Sequence, residues 1–252
     1  MSKLLKLVLG LVLLGYFGTL VIVRTPATLV TANLVKAVPS IQLAAITGTA
    51  WKGKAGAAHL NIEGQVIDLG SLSWSFRPLS LLALKACVDV ESDVVNGNVC
   101  RTIGGMNEFK GLQVELPASL ANKSLPDAKL AGIASLIIAK GAVNDSGEVS
   151  ALEGNFTWRG ARLNFQGMWF TLGDFAADLS AAGSGGVQAN IFDLAGPYGV
   201  RLNGEFGVAT PPKVKGEIHP REDASDDIRD ALGLFAVPQD SGAFAVSYPI
   251  GS

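Results

Sequence analysis

A chain of 252 residues carries 20 Lys and Arg against 22 Asp and Glu, a net charge of −2, with 48% apolar and only 17% charged residues. This is too apolar for a disordered chain and too poor in charge for many solvated helix faces, and its scattered basic residues argue against a nucleic-acid partner. Thirty glycines point to a sheet-rich body, and the two histidines, His59 and His219, have no cysteine or carboxylate at ligand spacing, so neither a metal nor a cofactor is expected.

The first element in chain order is Leu7 to Val23, seventeen residues without a charge, between Lys3 and Lys6 on one side and Arg24 on the other. At about 1.5 Å per residue it falls just short of the roughly 30 Å hydrocarbon core, a gap that Leu4, Leu5 and snorkelling lysines close. A cleaved signal peptide shares the charged start and apolar centre but ends in small residues. Val23, Arg24 and Thr25 stand at the exit here, which favours an uncleaved single-pass anchor. The preceding lysines orient the N-terminus to the cytoplasm and place the chain from about residue 25 onward outside it. From Ala27 to Val38 a short juxtamembrane helix is expected, ended by Pro39. Residues 1–38 thus form a cytoplasmic tip, anchor and juxtamembrane segment, and residues 39–252 one exported β domain.

Beyond Pro39 the period changes to two. Leu60, Ile62, Gly64 and Val66 share one parity against His59, Asn61, Glu63 and Gln65. Leu72, Trp74 and Phe76 repeat this, as do Leu112, Val114 and Leu116. Further on, Leu152, Phe156 and Trp158 precede Leu163, Phe165 and Trp169, with Gly160 between the two sets as a turn or bend. Val200, Leu202, Phe206 and Val208 follow, then Val214 and Ile218, with Pro211-Pro212 as the turn between them. Such strands have one apolar and one wet face, as an antiparallel sheet covered on a single side requires. Gly64, Gly204 and Gly216 fall on the apolar parity and favour a curled sheet. Near the end, Ser225 caps a helix with Asp226 and Asp227 in its first turn and Ile228, Ala231, Leu232 and Phe235 as its stripe; Pro238 stops it. Phe244, Val246, Tyr248 and Ile250 then form a closing strand. The expected fold is mainly β: an N-terminal transmembrane helix, then a curved, mostly antiparallel sheet with one short C-terminal helix.

Cys87 and Cys100 are the only cysteines. Parity places both on the wet side of neighbouring strands, because Leu84, Ala86, Val88 and Val90 take the apolar side of one, and Val99 and Ile103 that of the next. They can meet as a cross-strand disulfide if the chain reverses near Asp93 and Val94, with Asn96-Gly97 as a bulge or irregular turn. The alternative is two free thiols, awkward at exposed positions outside the cell.

No nucleophile elbow, phosphate-binding loop, dinucleotide fingerprint, zinc-protease helix or C-x-x-C occurs, and an enzyme is not expected. Gly183-Ser184-Gly185-Gly186 lacks the lysine and helix of a phosphate cradle and reads as a flexible loop. Asp223, Asp226, Asp227 and Asp230 have helix-terminal and solvated roles, with a calcium contact as the rival reading. Glu153 and Glu205 could do acid-base work only by converging in a pocket.

One element recurs loosely: Gly48-Thr49-Ala50-Trp51-Lys52-Gly53 and Gly154-Asn155-Phe156-Thr157-Trp158-Arg159-Gly160, each read as a core-facing tryptophan with a turn beyond. Together with Leu72-Ser73-Trp74-Ser75-Phe76-Arg77-Pro78-Leu79-Ser80-Leu81-Leu82, the first copy resembles the type II secretion system protein N family. The second segment also resembles the W-x-x-x-P-L pattern of AsmA-like proteins. The first resemblance covers nearly the whole chain. It implies an accessory component of the cell inner membrane, with its bulk in the periplasm, that works with other secretion-system components in exporting folded proteins across the outer membrane. The AsmA-like resemblance implies the alternative of a lipid-binding or lipid-transfer protein with phospholipid on an apolar concave sheet. Trp51, Trp74, Phe156, Trp158, Phe165 and Trp169 would either pack as a closed core or line that groove, and core packing is the commoner fate of such residues.

Overall fold

The computed structural model describes residues 24–37, 39–62, 64–125, 128–165, 167–208, 210–222, 224, 229–230, 232–233 and 236–249. The expected anchor at Leu7 to Val23 lies outside them, and among the described residues no helix is long and apolar enough to cross a membrane. The chain divides into two compact units at Asp93/Val94.

The first unit opens with α1 (Ala27–Ala37), where a short helix is expected, followed by β1 (Ile41–Gly48), β2 (Lys52–Ile62), β3 (Gln65–Arg77) and β4 (Lys85–Glu91). The four strands pair antiparallel in sequence order. Among the described side chains of α1, Ala27 and Thr31, one turn apart, are buried, and the helix packs on β1. Residues 59–66 do not form one strand. They are a hairpin in which the Asn61 side chain accepts the Gly64 N–H at 2.9 Å, because a short amide side chain offers the backbone a turn in place of the ladder.

The second unit contains β5 (Val95–Thr102), β6 (Asn107–Pro117), β7 (Ala128–Val143), β8 (Val149–Phe165), β9 (Met168–Ala181), β10 (Val187–Ala195), β11 (Tyr198–Phe206), β12 (Lys213–Pro220), β13 (Val237–Pro238) and β14 (Phe244–Tyr248). They run antiparallel in the order β5 to β12, then β14 and β13, so the closing strand pairs back onto β12. Gly160 does not end a strand as a turn would. β8 passes through it, and the register shifts there against both β7 and β9, the signature of a bulge that bends a strand without stopping it. Trp169 belongs to β9, beyond the turn at Gly167. Arg229, Asp230, Leu232 and Gly233 are helical where the late helix is expected, whereas Ser225 to Ile228, Ala231 and Phe235 lie outside the described residues.

Both cysteines are disulfide-bonded, hence to each other. The β4–β5 link is Ser92 to Val94, and Gly97 sits at a register shift against β6, as a direct bridge requires. The exposure expected from parity is wrong. Cys87 and Cys100 are 7% and 4% exposed. Cross-strand from Cys87, Arg77 reaches along β4 to Asp89 in a two-pronged contact of 2.6 and 2.7 Å, and the Ser80 hydroxyl accepts the Cys87 N–H at 3.1 Å.

Candidate functional site

Among the described residues no large side chain is fully buried. The core of the second unit gathers around Tyr198 and Val200 of β11 with Ala224 from the segment after β12, and Leu172, Phe175, Ile191, Leu202 and Ile218 pack against it.

Beside this core lies a cavity of about 550 Å³, lined only by apolar residues from β8 to β12. Its origin is visible in the register. One cross-strand row runs Phe156, Ala177, Ile191, Leu202, Gly216; the next runs Gly154, Leu179, Ala189, Gly204, Val214. The small side chains of Ala177 and Ala189 between larger neighbours leave the space that forms the cavity, whereas the Phe206 ring covers Gly204. Trp158 and Phe175 pair across β8 and β9 with ring centroids 6.2 Å apart, and the Trp158 indole N–H donates to the Ala131 carbonyl on β7 at 3.1 Å.

One end of this face is polar. Asp193 shares the parity of Ile191 on β10, accepts the Val200 N–H at 2.7 Å and pairs with Arg221 at 2.6 Å, while Arg221 also donates to the Gly196 carbonyl. Burial pushes the Asp193 carboxyl up, but the Val200 N–H and the Arg221 guanidinium together outweigh it and hold the group below the usual carboxylate range. A volume within the roughly 300–1,000 Å³ of small-molecule sites, walled by hydrocarbon, suits an apolar chain.

Of the six aromatic candidates, Phe156 and Trp158 line this cavity. Trp51 and Trp74 belong to the first unit: Trp51 occupies the β1–β2 turn, its ring 5.0 Å from that of Phe76, and the Trp74 indole donates to the Ala50 carbonyl at 3.2 Å against Gly53. Trp51 and Trp158 therefore occupy a turn and a mid-strand position, and the tryptophan that matches Trp158 in its bonding is Trp74. Phe165 and Trp169 flank the β8–β9 turn and are exposed, with the Arg162 guanidinium 5.5 Å from the centre of the Trp169 ring. The residues that sequence reading left out, Leu172, Phe175, Leu179 and Ile191, sit on β9 and β10. The alternation Phe175, Ala177, Leu179 could have revealed them.

Glu153 and Glu205 do not converge. Two strands, β9 and β10, separate them through Ser180 and Gln188, three strand steps or roughly 14 Å. Gly183 to Gly186 form the β9–β10 turn, where the Ser184 hydroxyl donates to Glu205 at 2.8 Å. His59 lies 3.4 Å from Asp68 and His219 3.1 Å from Glu217, and among the described residues no group of three metal-ligating side chains assembles. Asp230 is exposed, whereas Asp223, Asp226 and Asp227 lie outside the described residues.

A family model described as type II secretion system (T2SS), protein N matches residues 39–247. No curated protein and no solved structure matches the chain.

Proposed function

From the premise that the chain belongs to the type II secretion system protein N family, an accessory part of that machinery, we propose that it works at the inner membrane, held by the apolar segment Leu7 to Val23 with residues 39–252 in the periplasm, as a non-catalytic partner of other secretion components during export of folded proteins across the outer membrane. The observation that carries this reading is the extent of the match, which takes in every strand from β1 to β13 and nearly all of β14. The charge pattern around the anchor supports the orientation. The test is crosslinking in the intact envelope followed by affinity capture, with protease applied to spheroplasts. Recovery of secretion subunits and digestion of the C-terminal bulk are expected. Capture without any secretion subunit, or a bulk spared by protease, overturns the corresponding half of the reading.

The cavity favours a second reading, in which the apolar face carries a phospholipid acyl chain, as the AsmA-like resemblance implies. Ala177 is 4% exposed and lines the cavity, so Ala177→Trp fills the space from within. Native mass spectrometry of detergent-extracted protein is expected to show copurifying phospholipid that this variant loses. Equal lipid on both forms, or lipid on neither, overturns the carrier reading and leaves the scaffold.

A further inference from the structure

The end of the first unit nearest the expected anchor carries apolar surface that the fold does not use. Between β3 and β4 the chain makes a 3-10 turn over Pro78–Ala83, and Leu79, Leu82 and Leu84 are 78%, 85% and 64% exposed, with Leu81 half-exposed beside them. Scattered exposed leucines are ordinary on protein surfaces; four within six residues on one turn are not. The turn is built to hold this shape. Pro78 opens it, the Ser80 hydroxyl donates to the Arg77 carbonyl at 2.6 Å while accepting the Cys87 N–H, and Leu84 closes it in the left-handed region at φ 57°.

Its position is fixed relative to residue 25. The Ala50 N–H donates to the Thr25 carbonyl at 2.9 Å, Pro26 bridges to Thr49, and the Phe76 N–H donates to the Trp51 carbonyl at 2.7 Å. Thr25 and the start of the leucine turn therefore share one end of the sheet, about two strand spacings or 10 Å apart. Charge leans the same way. Arg24, Lys52, Arg77 and Lys85 lie toward this end with Asp89, which Arg77 already holds, and with Glu91 two residues further along β4 opposite Ser73, while Asp68 and Asp93 lie toward the other end. Trp51 stands in the same turn region, with the amphipathic ring that is enriched at membrane interfaces.

We propose that the Pro78–Ala83 turn is a second membrane contact, its leucines entering the leaflet from which the chain emerges at Arg24, with the basic residues facing lipid phosphates. This rests on the reading of Leu7 to Val23 as an anchor. Two contacts at one end of the sheet would orient the first unit with its strands standing away from the bilayer, where a single helix followed by a free linkage would leave it to swing.

The test uses the full chain reconstituted into vesicles of phosphatidylethanolamine and phosphatidylglycerol, with a nitroxide label introduced in turn at Leu82→Cys, at Val66→Cys on the opposite end, and at Leu14→Cys within the apolar segment. Accessibility to oxygen and to a water-soluble nickel chelate is compared. The ratio of oxygen to nickel accessibility is expected to be several-fold higher at Leu82 than at Val66. Equal ratios at these two positions, with Leu14 in lipid, overturn the second contact and leave the anchor standing. Leu82 in lipid with Leu14 in water supports the contact and overturns the anchor. Water at both Leu14 and Leu82 overturns both.

Discussion

Trp158 on β8 and Gly132 on β7 are locked together: a Cβ at Gly132 would stand 2.9 Å from the indole nitrogen and 2.5 Å from the Arg159 carbonyl oxygen. The indole can reach the Ala131 carbonyl only because position 132 has no side chain, and Gly132 also adopts a φ of +110° that other residues rarely take. Gly132→Ala is therefore expected to destabilise more than Trp158→Phe, which keeps an aromatic ring in place and loses one hydrogen bond, about 1 kcal/mol. Urea unfolding monitored by tryptophan fluorescence ranks the two. The reverse order would show that the close approach is relaxed by backbone movement.

Trp169 offers the contrast. It is 52% exposed, and the Arg162 guanidinium lies over its ring. Such contacts contribute about 0.5–1 kcal/mol at exposed sites, so Trp169→Ala is expected to shift the urea midpoint little, whereas Trp158→Ala removes a packed ring at a cost of about 3 kcal/mol. Comparable losses from both would mean that the β8–β9 turn is covered in the folded protein.

The bridge between Cys87 and Cys100 closes a loop of fourteen residues counting both ends. On the chain-entropy model it stabilises by roughly 3 kcal/mol. A bulky maleimide is expected to add no mass to the unreduced protein even in denaturant, and two adducts after reduction there. Labelling without reductant would sink the bond itself. Cys87→Ser/Cys100→Ser is expected to lower the urea midpoint accordingly.

Much of this architecture was legible because period-two alternation survives wherever one face of a strand meets water. Leu72, Trp74 and Phe76, or Val200, Leu202 and Phe206, announce β3 and β11 directly. β7 was not legible, since Ala128 to Val143 mixes small and apolar residues on both parities and gives no contrast to count. Turns were harder still. Gly64 and Gly160 both interrupt apolar sets, yet one closes a hairpin and the other sits in a bulge, a difference decided by the Asn61 side chain and by pairing on both sides of β8. The disulfide could be inferred from spacing, but its burial could not, because parity reads only the alternation within a single strand. The cavity is likewise a property of rows across strands. Ala177 and Ala189 are unremarkable along the chain and line a cavity only when their strands pair.

Asp193 supplies a pH dependence. Its side chain is 15% exposed, and the balance of burial against Val200 and Arg221 leaves its carboxyl below the usual range. A depressed folded-state value means that the unfolded chain binds the proton first. The pair thus contributes its full stability above the unfolded carboxylate value of about 4, and loses it as pH falls through the lower folded value. Asp193→Asn is expected to be less stable than the parent at neutral pH and to show a flatter decline in urea midpoint below pH of about 4. Because Asp193 lies on the face that bears the cavity, the same acid titration is expected to loosen the β10–β11 hairpin, read as faster exchange of the Val200 amide. Parallel acid profiles for parent and variant would assign the acid sensitivity to other carboxylates and remove the Arg221 pair from the account.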